Sequence, residues 1–205
     1  MEHLYHKGDS AHPFFILLHG TGGTEDDLIA IKNLLNPKSG YLSFRGDVNE
    51  YGANRFFKRL SPGVFDETDL INRTYAMINR IKTLSQTNQI DLNRIIALGY
   101  SNGANLIASI LFHDNKTISK AVLYNPVVPI KNIGLPSHVN TNVFISAGIN
   151  DPISPKQEVK QLISLLKHAD ARLFVHWTNA GHQITKDTIT ETKRWIDTII
   201  RKETH

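Results

Sequence analysis

Three residues set far apart in this chain could together make an activated nucleophile. Ser101 lies in Gly99-Tyr100-Ser101-Asn102-Gly103, Asp151 in Gly148-Ile149-Asn150-Asp151-Pro152, and His182 in Ala180-Gly181-His182. A serine hydroxyl is a poor nucleophile until a base removes its proton, and a histidine does this when a carboxylate fixes its tautomer and orientation. The order serine, aspartate, histidine differs from the orders of the trypsin and subtilisin types. A fourth segment, His19-Gly20-Thr21-Gly22-Gly23, has the small residues that let backbone N–H groups approach a developing oxyanion, with the Thr21 and Asn102 N–H groups as the candidate pair.

Each residue also has a plainer reading. Ser101 could cap a helix, Asp151 before Pro152 could simply form a turn, and His19 could orient the glycine loop through a side-chain hydrogen bond. His176 competes with His182 but lies within an apolar strand pattern, which suits a packed or surface histidine. The glycine loop lacks the lysine-serine ending of a phosphate-binding loop and the glycine spacing of a dinucleotide site. What favours chemistry is context: an apolar strand runs into Gly-x-Ser-x-Gly and a helix follows, so the turn presents the Ser101 hydroxyl at the helix's positive end.

The elements that must hold these residues alternate between β-branched apolar runs and stretches of helical period, the pattern of a mostly parallel sheet with helices on both faces. Strands are expected at Phe14–Leu18, Tyr41–Phe44, Ile95–Leu98, Ala121–Tyr124, Val143–Ala147 and Leu173–Trp177, with His3–Lys7 as an antiparallel edge. Helices are expected at Asp26–Leu35, Glu67–Gln86, Ser101–Phe112, Lys156–His168 and Lys186–Ile200. Thr24 with Asp26 and Asp27 reads as one helix start, and Ser154-Pro155 as a cap followed by proline in the first turn.

Composition narrows the classes further. The 205 residues include no cysteine, which excludes disulfides, thiolate metal sites and a cysteine nucleophile. Ten histidines are present, yet none stands in a His-Glu-x-x-His arrangement, and no cluster has ligand spacing, so no metal or other cofactor is expected. The net charge of +4 is spread along the chain; Arg55, Lys58 and Arg59 form the densest basic group and read as a solvated face, not a nucleic-acid surface. No apolar run approaches a bilayer span and no leader pattern opens the sequence, so a cytoplasmic protein without integral membrane association is expected.

Taken together, the loop around Thr21, the Gly-x-Ser-x-Gly turn and the segments around Asp151 and His182 resemble the small α/β-hydrolases of the carboxylesterase/phospholipase group, which includes acyl-protein thioesterases. The resemblance covers nearly the whole chain. It is narrowest with bacterial MhqD-type hydrolases, a group associated with hydroquinone and quinone stress, where Arg45-Gly46 through Arg55-Phe56-Phe57 and on to Gly63-Val64-Phe65-Asp66 contribute. It implies an α/β-hydrolase fold and a serine esterase or thioesterase; no interdomain linker is evident, so residues 1–205 are expected to form one domain, the segment Asn125–Asn142 leaves no room for a lid domain, and a monomer or homodimer is expected. Thioesterase-type relatives usually carry glutamine at Asn102 and leucine at Thr21, which spares a mechanism using backbone donors but loosens any transfer of substrate preference.

Phe56, Phe57, Leu60 and Phe65 would either line an acyl or aryl pocket or pack a satellite core, and Val127, Val128 and Ile130 are further candidates for the pocket wall. The expected partner is a small ester or thioester. A rival from another class is a small-ligand sensor on the same fold with little or no turnover.

Overall fold

Successive side chains along each central strand point to opposite faces, and that alternation sorts the helices onto two sides of one sheet. The computed structural model describes residues 1–203. The strands of the main sheet are β1 (His3–His6), β2 (Phe14–Leu18), β3 (Tyr41–Phe44), β8 (Ile95–Tyr100), β9 (Lys120–Tyr124), β10 (Asn142–Gly148) and β11 (Arg172–Thr178). Their spatial order is β1-β3-β2-β8-β9-β10-β11; β1 pairs antiparallel with β3 and the other pairs are parallel. Two short hairpins lie between β3 and the next helix: β4 (Val48–Glu50) with β5 (Ala53–Arg55), and β6 (Arg59–Ser61) with β7 (Val64–Phe65).

On one face, Ile16, Leu18, Ala97, Leu123 and Ile145 pack with α2 (Glu67–Thr87), α3 (Asn102–His113) and α4 (Lys156–His168). The residues one step along, Phe15, Leu17, Leu98, Val122 and Phe144, point the other way and meet α1 (Ile29–Leu35) and α5 (Lys186–Glu203). A parallel sheet covered on both sides needs strands that are apolar throughout, and β2, β8 and β9 are buried along nearly their whole length. The chain leaves β2 toward β3 but later enters β8 on the opposite side of β2. The crevice outside the carboxyl ends of β2 and β8 is therefore a topological switch point, the place where open α/β sheets bind ligands.

Two helix-start signals act differently from the sequence reading. The first helix begins at Ile29, not Asp26: the Thr24 hydroxyl accepts from Asp26 N–H and donates to Asp27, making a local turn, while Leu28 at the cap position makes no side-chain bond. Ser154 does not cap α4 either, because its hydroxyl donates to Asn125 O at 2.7 Å and Pro155 occupies the cap position. Asp66, by contrast, caps α2 by accepting from Asp69 N–H. Among the described residues no helix is long and apolar enough to cross a membrane.

Candidate active site

The turn between β8 and α3 is held by contacts that only glycine permits. A Cβ at Gly103 would lie 2.1 Å from Leu18 O, and one at Gly99 would lie 2.7 Å from Gly103 C. This close approach lets Gly103 N–H donate to His19 O at 3.1 Å, while Ser101 N–H donates to Tyr124 O at 2.9 Å. Ser101 itself is forced to φ 51° and ψ −111°, a region that a residue with a side chain rarely occupies. The strain turns the hydroxyl away from the helix, and Ser101 makes no capping bond.

That hydroxyl meets a histidine. Ser101 Oγ lies 2.8 Å from His182 Nε2, and His182 Nδ1 lies 2.6 Å from Asp151 Oδ2. An Nδ1–H donating to the carboxylate leaves Nε2 free to accept the serine proton. Asp151 is fully buried as a side chain, whereas His182 keeps 15% of its side-chain surface exposed. Burial alone would push the Asp151 carboxyl up; Ser154 N–H, the Asn125 amide, His182 and Ile153 N–H outweigh it and hold the carboxyl below its usual range. Tyr100 supports the base from below, its hydroxyl donating to His182 O at 2.8 Å and its ring 5.4 Å from the imidazole.

The loop after β2 closes the other side. His19 is buried; its Nδ1–H donates to Gly20 O at 2.5 Å and its Nε2 accepts from Gly46 N–H at 2.9 Å, so the imidazole is the neutral Nδ1–H tautomer pinning the loop. Burial pushes its pKa down, in keeping with that neutral form. Among the described residues, neither Thr21 N–H nor Asn102 N–H is taken up by a partner within the chain. Both residues and Ser101 line one cavity of about 890 Å³. A smaller, more open hollow of about 550 Å³ lies elsewhere, against Pro13, Leu35 and Ile200.

The cavity wall redistributes the aromatic candidates. Phe65, Val127 and Val128 line it, together with Leu60, Val64 and Ile153. Phe56, Phe57 and Ile130 do not: all three are buried in the larger core, the two phenylalanines fed inward by the chain as it leaves the β4–β5 hairpin. Phe56 instead contributes its N–H, which donates to Asn102 Oδ1 at 2.8 Å. Arg55 is also buried, contrary to its reading as part of a solvated face; it lies in the cavity wall, donates to Thr21 Oγ1 at 2.8 Å and faces Glu50 at 3.5 Å. A short strand with no apolar period gives no warning of such burial. Asn125, which follows β9 and bonds Asp151 Oδ2 at 2.9 Å, and Asn105, which lies on α3 in the cavity wall, were likewise missed, since a lone asparagine carries no motif. His176 lies apart from the cavity, 3.0 Å from Asp187. Among the described residues no three His, Asp or Glu side chains gather as metal ligands.

Residues 3–194 match the model of the dienelactone hydrolase family. The Bacillus subtilis protein MhqD, which is named as a hydrolase, is 44% identical over 195 residues, covering 95% of this chain and 97% of that protein. The crystal structure of a Bacillus cereus carboxylesterase superposes with a TM-score of 0.94 at 43% identity, over 97% of this chain and 94% of that one. A phospholipase/carboxylesterase from Dyadobacter fermentans shares the fold, with a TM-score of 0.79 at 19% identity over 95% of each chain.

Proposed function

Because the chain belongs to the dienelactone hydrolase family and is an enzyme of carboxylesterase type, we propose that Ser101, His182 and Asp151 act as a triad on carboxylic esters or thioesters whose acyl or aryl part is apolar, within one hydrolase domain spanning the chain. The observation that carries this reading is the hydrogen-bonded series from Asp151 through His182 to Ser101, ending at the cavity.

Ser101 Oγ attacks the carbonyl carbon as His182 Nε2 takes its proton. Asp151, held ionised by its donors, stabilises the imidazolium and keeps the ring in place. Negative charge gathers on the carbonyl oxygen, and the unpartnered N–H groups of Thr21 and Asn102 receive it. As the tetrahedral intermediate collapses, His182 gives the proton to the leaving alcohol or thiol. Water, deprotonated by the same Nε2, then attacks the acyl carbon, and as the second tetrahedral intermediate collapses His182 returns that proton to Ser101 Oγ and the acid leaves. Leu60, Val64, Phe65, Val127, Val128 and Ile153 supply the apolar surface against which an acyl or aryl group loses its water.

The test is steady-state hydrolysis of 4-nitrophenyl esters and acyl thioesters of graded length by the wild type and Ser101→Ala, with circular dichroism to verify folding. Turnover that falls by roughly a thousandfold or more in a folded variant supports the triad. A folded variant that retains turnover overturns it, and a wild type that binds these compounds without cleaving them favours the sensor.

A further inference from the structure

Asn125 follows Tyr124 at the end of β9 and touches no reacting atom in the steps above. Its backbone adopts φ 51°, in the left-handed region. Its N–H donates to Ser146 O at 2.8 Å and its carbonyl accepts from Ser154 Oγ at 2.7 Å. Its side-chain Nδ2 donates to Asp151 Oδ2 at 2.9 Å and to Gly181 O at 3.3 Å. One residue thus ties together the carboxylate, the loop that carries it and the peptide preceding His182.

The Asp151 carboxylate is fully subscribed. Oδ1 accepts from Ile153 N–H at 2.8 Å and from Ser154 N–H at 3.0 Å, while Oδ2 accepts from Asn125 at 2.9 Å and faces His182 Nδ1 at 2.6 Å. A carboxylate has about four acceptor sites, so it cannot rotate without breaking this set. Asn125 and His182 also share one oxygen, and charge drawn toward the amide is charge withheld from the imidazolium.

We propose that Asn125 is a positioning residue for the Asp151–His182 pair: its amide aims Asp151 Oδ2 at His182 Nδ1 and, by sharing that oxygen, sets the pH at which His182 takes up a proton. The proposal rests on the triad reading for its consequence in catalysis, but the proton uptake itself is measurable without turnover. The titratable groups against the imidazole are Asp151 after β10 and Tyr100 at the end of β8, with the Ser101 hydroxyl at Nε2. From α5, Asp187 pairs with His176. The charged groups in the cavity wall are Arg55, Arg59, Lys131, Asp66, Glu67 and Glu158.

Two variants separate the amide from the backbone. Asn125→Asp preserves shape and tolerance of the left-handed backbone while replacing the donor with an oxygen; Asn125→Gly relieves the backbone and deletes the side chain. The His182 imidazole is titrated by NMR in the wild type and both variants, assigned by comparison with His182→Gln, and kcat/KM for an ester is followed against pH alongside. Both variants are expected to raise the His182 midpoint by about half a pH unit or more, the aspartate further because it adds charge, with the acid limb of kcat/KM moving in step. A wild-type midpoint in folded Asn125→Asp and Asn125→Gly overturns the proposal. If one variant fails to fold the other carries the test, and loss of the fold in both assigns Asn125 to stability alone and overturns it as well. If wild-type Ser101 takes no fluorophosphonate and cleaves no ester, the hydrolase reading falls, while the NMR titration still decides the role of Asn125.

Discussion

Adding one methyl group at Gly103 should disable the site without touching any reacting atom. The new Cβ would stand 2.1 Å from Leu18 O, 2.5 Å from Leu18 C and 2.6 Å from His19 O, all backbone atoms that no rotamer change can move aside. Ordinary contact begins near 3.4 Å, so the end of β2 and the start of α3 must part by roughly an ångström. That parting breaks the bond from Gly103 N–H to His19 O and separates the two N–H donors, because Thr21 is carried by the loop after β2 and Asn102 by α3. Overpacking costs about 1–3 kcal/mol and the lost bond about 1 kcal/mol. For a chain of this size each kcal/mol lowers Tm by roughly 2–4 °C, so Gly103→Ala should melt about 4–16 °C below the wild type. A misplacement of this size typically costs roughly a hundredfold in rate. Thermal melts and ester kinetics on Gly103→Ala, with Gly134→Ala as the control because nothing lies within 4 Å of its added Cβ, read both quantities. Wild-type Tm and kcat/KM in Gly103→Ala would refute the close approach and the reasoning built on it.

Three further outcomes follow from the same geometry. Asn102→Ala leaves the buried Phe56 N–H without its acceptor and should cost about 1–3 kcal/mol by urea unfolding, yet lower kcat far less than Ser101→Ala, since the backbone donor remains; equal losses in the two variants would contradict this. Thr21→Val removes the acceptor of Arg55 but not the Thr21 N–H, so kcat/KM should fall by less than about tenfold, against the hundredfold or more typical of a lost oxyanion donor. Burial pushes His19 and His138 down from 6.5, so below that value the unfolded chain binds protons that the folded chain refuses. Stability should be intact above pH 6.5 and decline as pH falls through it; a urea midpoint unchanged between pH 7.5 and 5 would contradict that assignment.

How far the sequence carried this account varied with the kind of signal. The apolar runs Phe14–Leu18 and Ile95–Leu98 could be placed in the sheet because burial on both faces demands a continuous run, and the two glycines around Ser101 marked the turn because the packing there excludes side chains. Ser101, Asp151 and His182 could be named as a set because each ends up beyond the carboxyl end of a strand. The hairpins between Val48 and Phe65 escaped notice, since strands of two or three residues have no period to detect. Their placement is what buries Arg55, Phe56 and Phe57 and leaves Leu60, Val64 and Phe65 at the cavity. Thr24 misled because the hydroxyl that caps a helix also makes a local turn. Asn125 was invisible for a different reason: its role exists only once β9, the Asp151 loop and the His182 loop meet in space.

The central claim is that Ser101 is an activated nucleophile, and its most direct measurement is intact-protein mass after treatment with a fluorophosphonate, run beside Ser101→Ala and followed by peptide mapping. The account predicts a single adduct on Ser101 that is absent from the variant. A folded wild type that gains no adduct, or one that carries it on another residue, would contradict it.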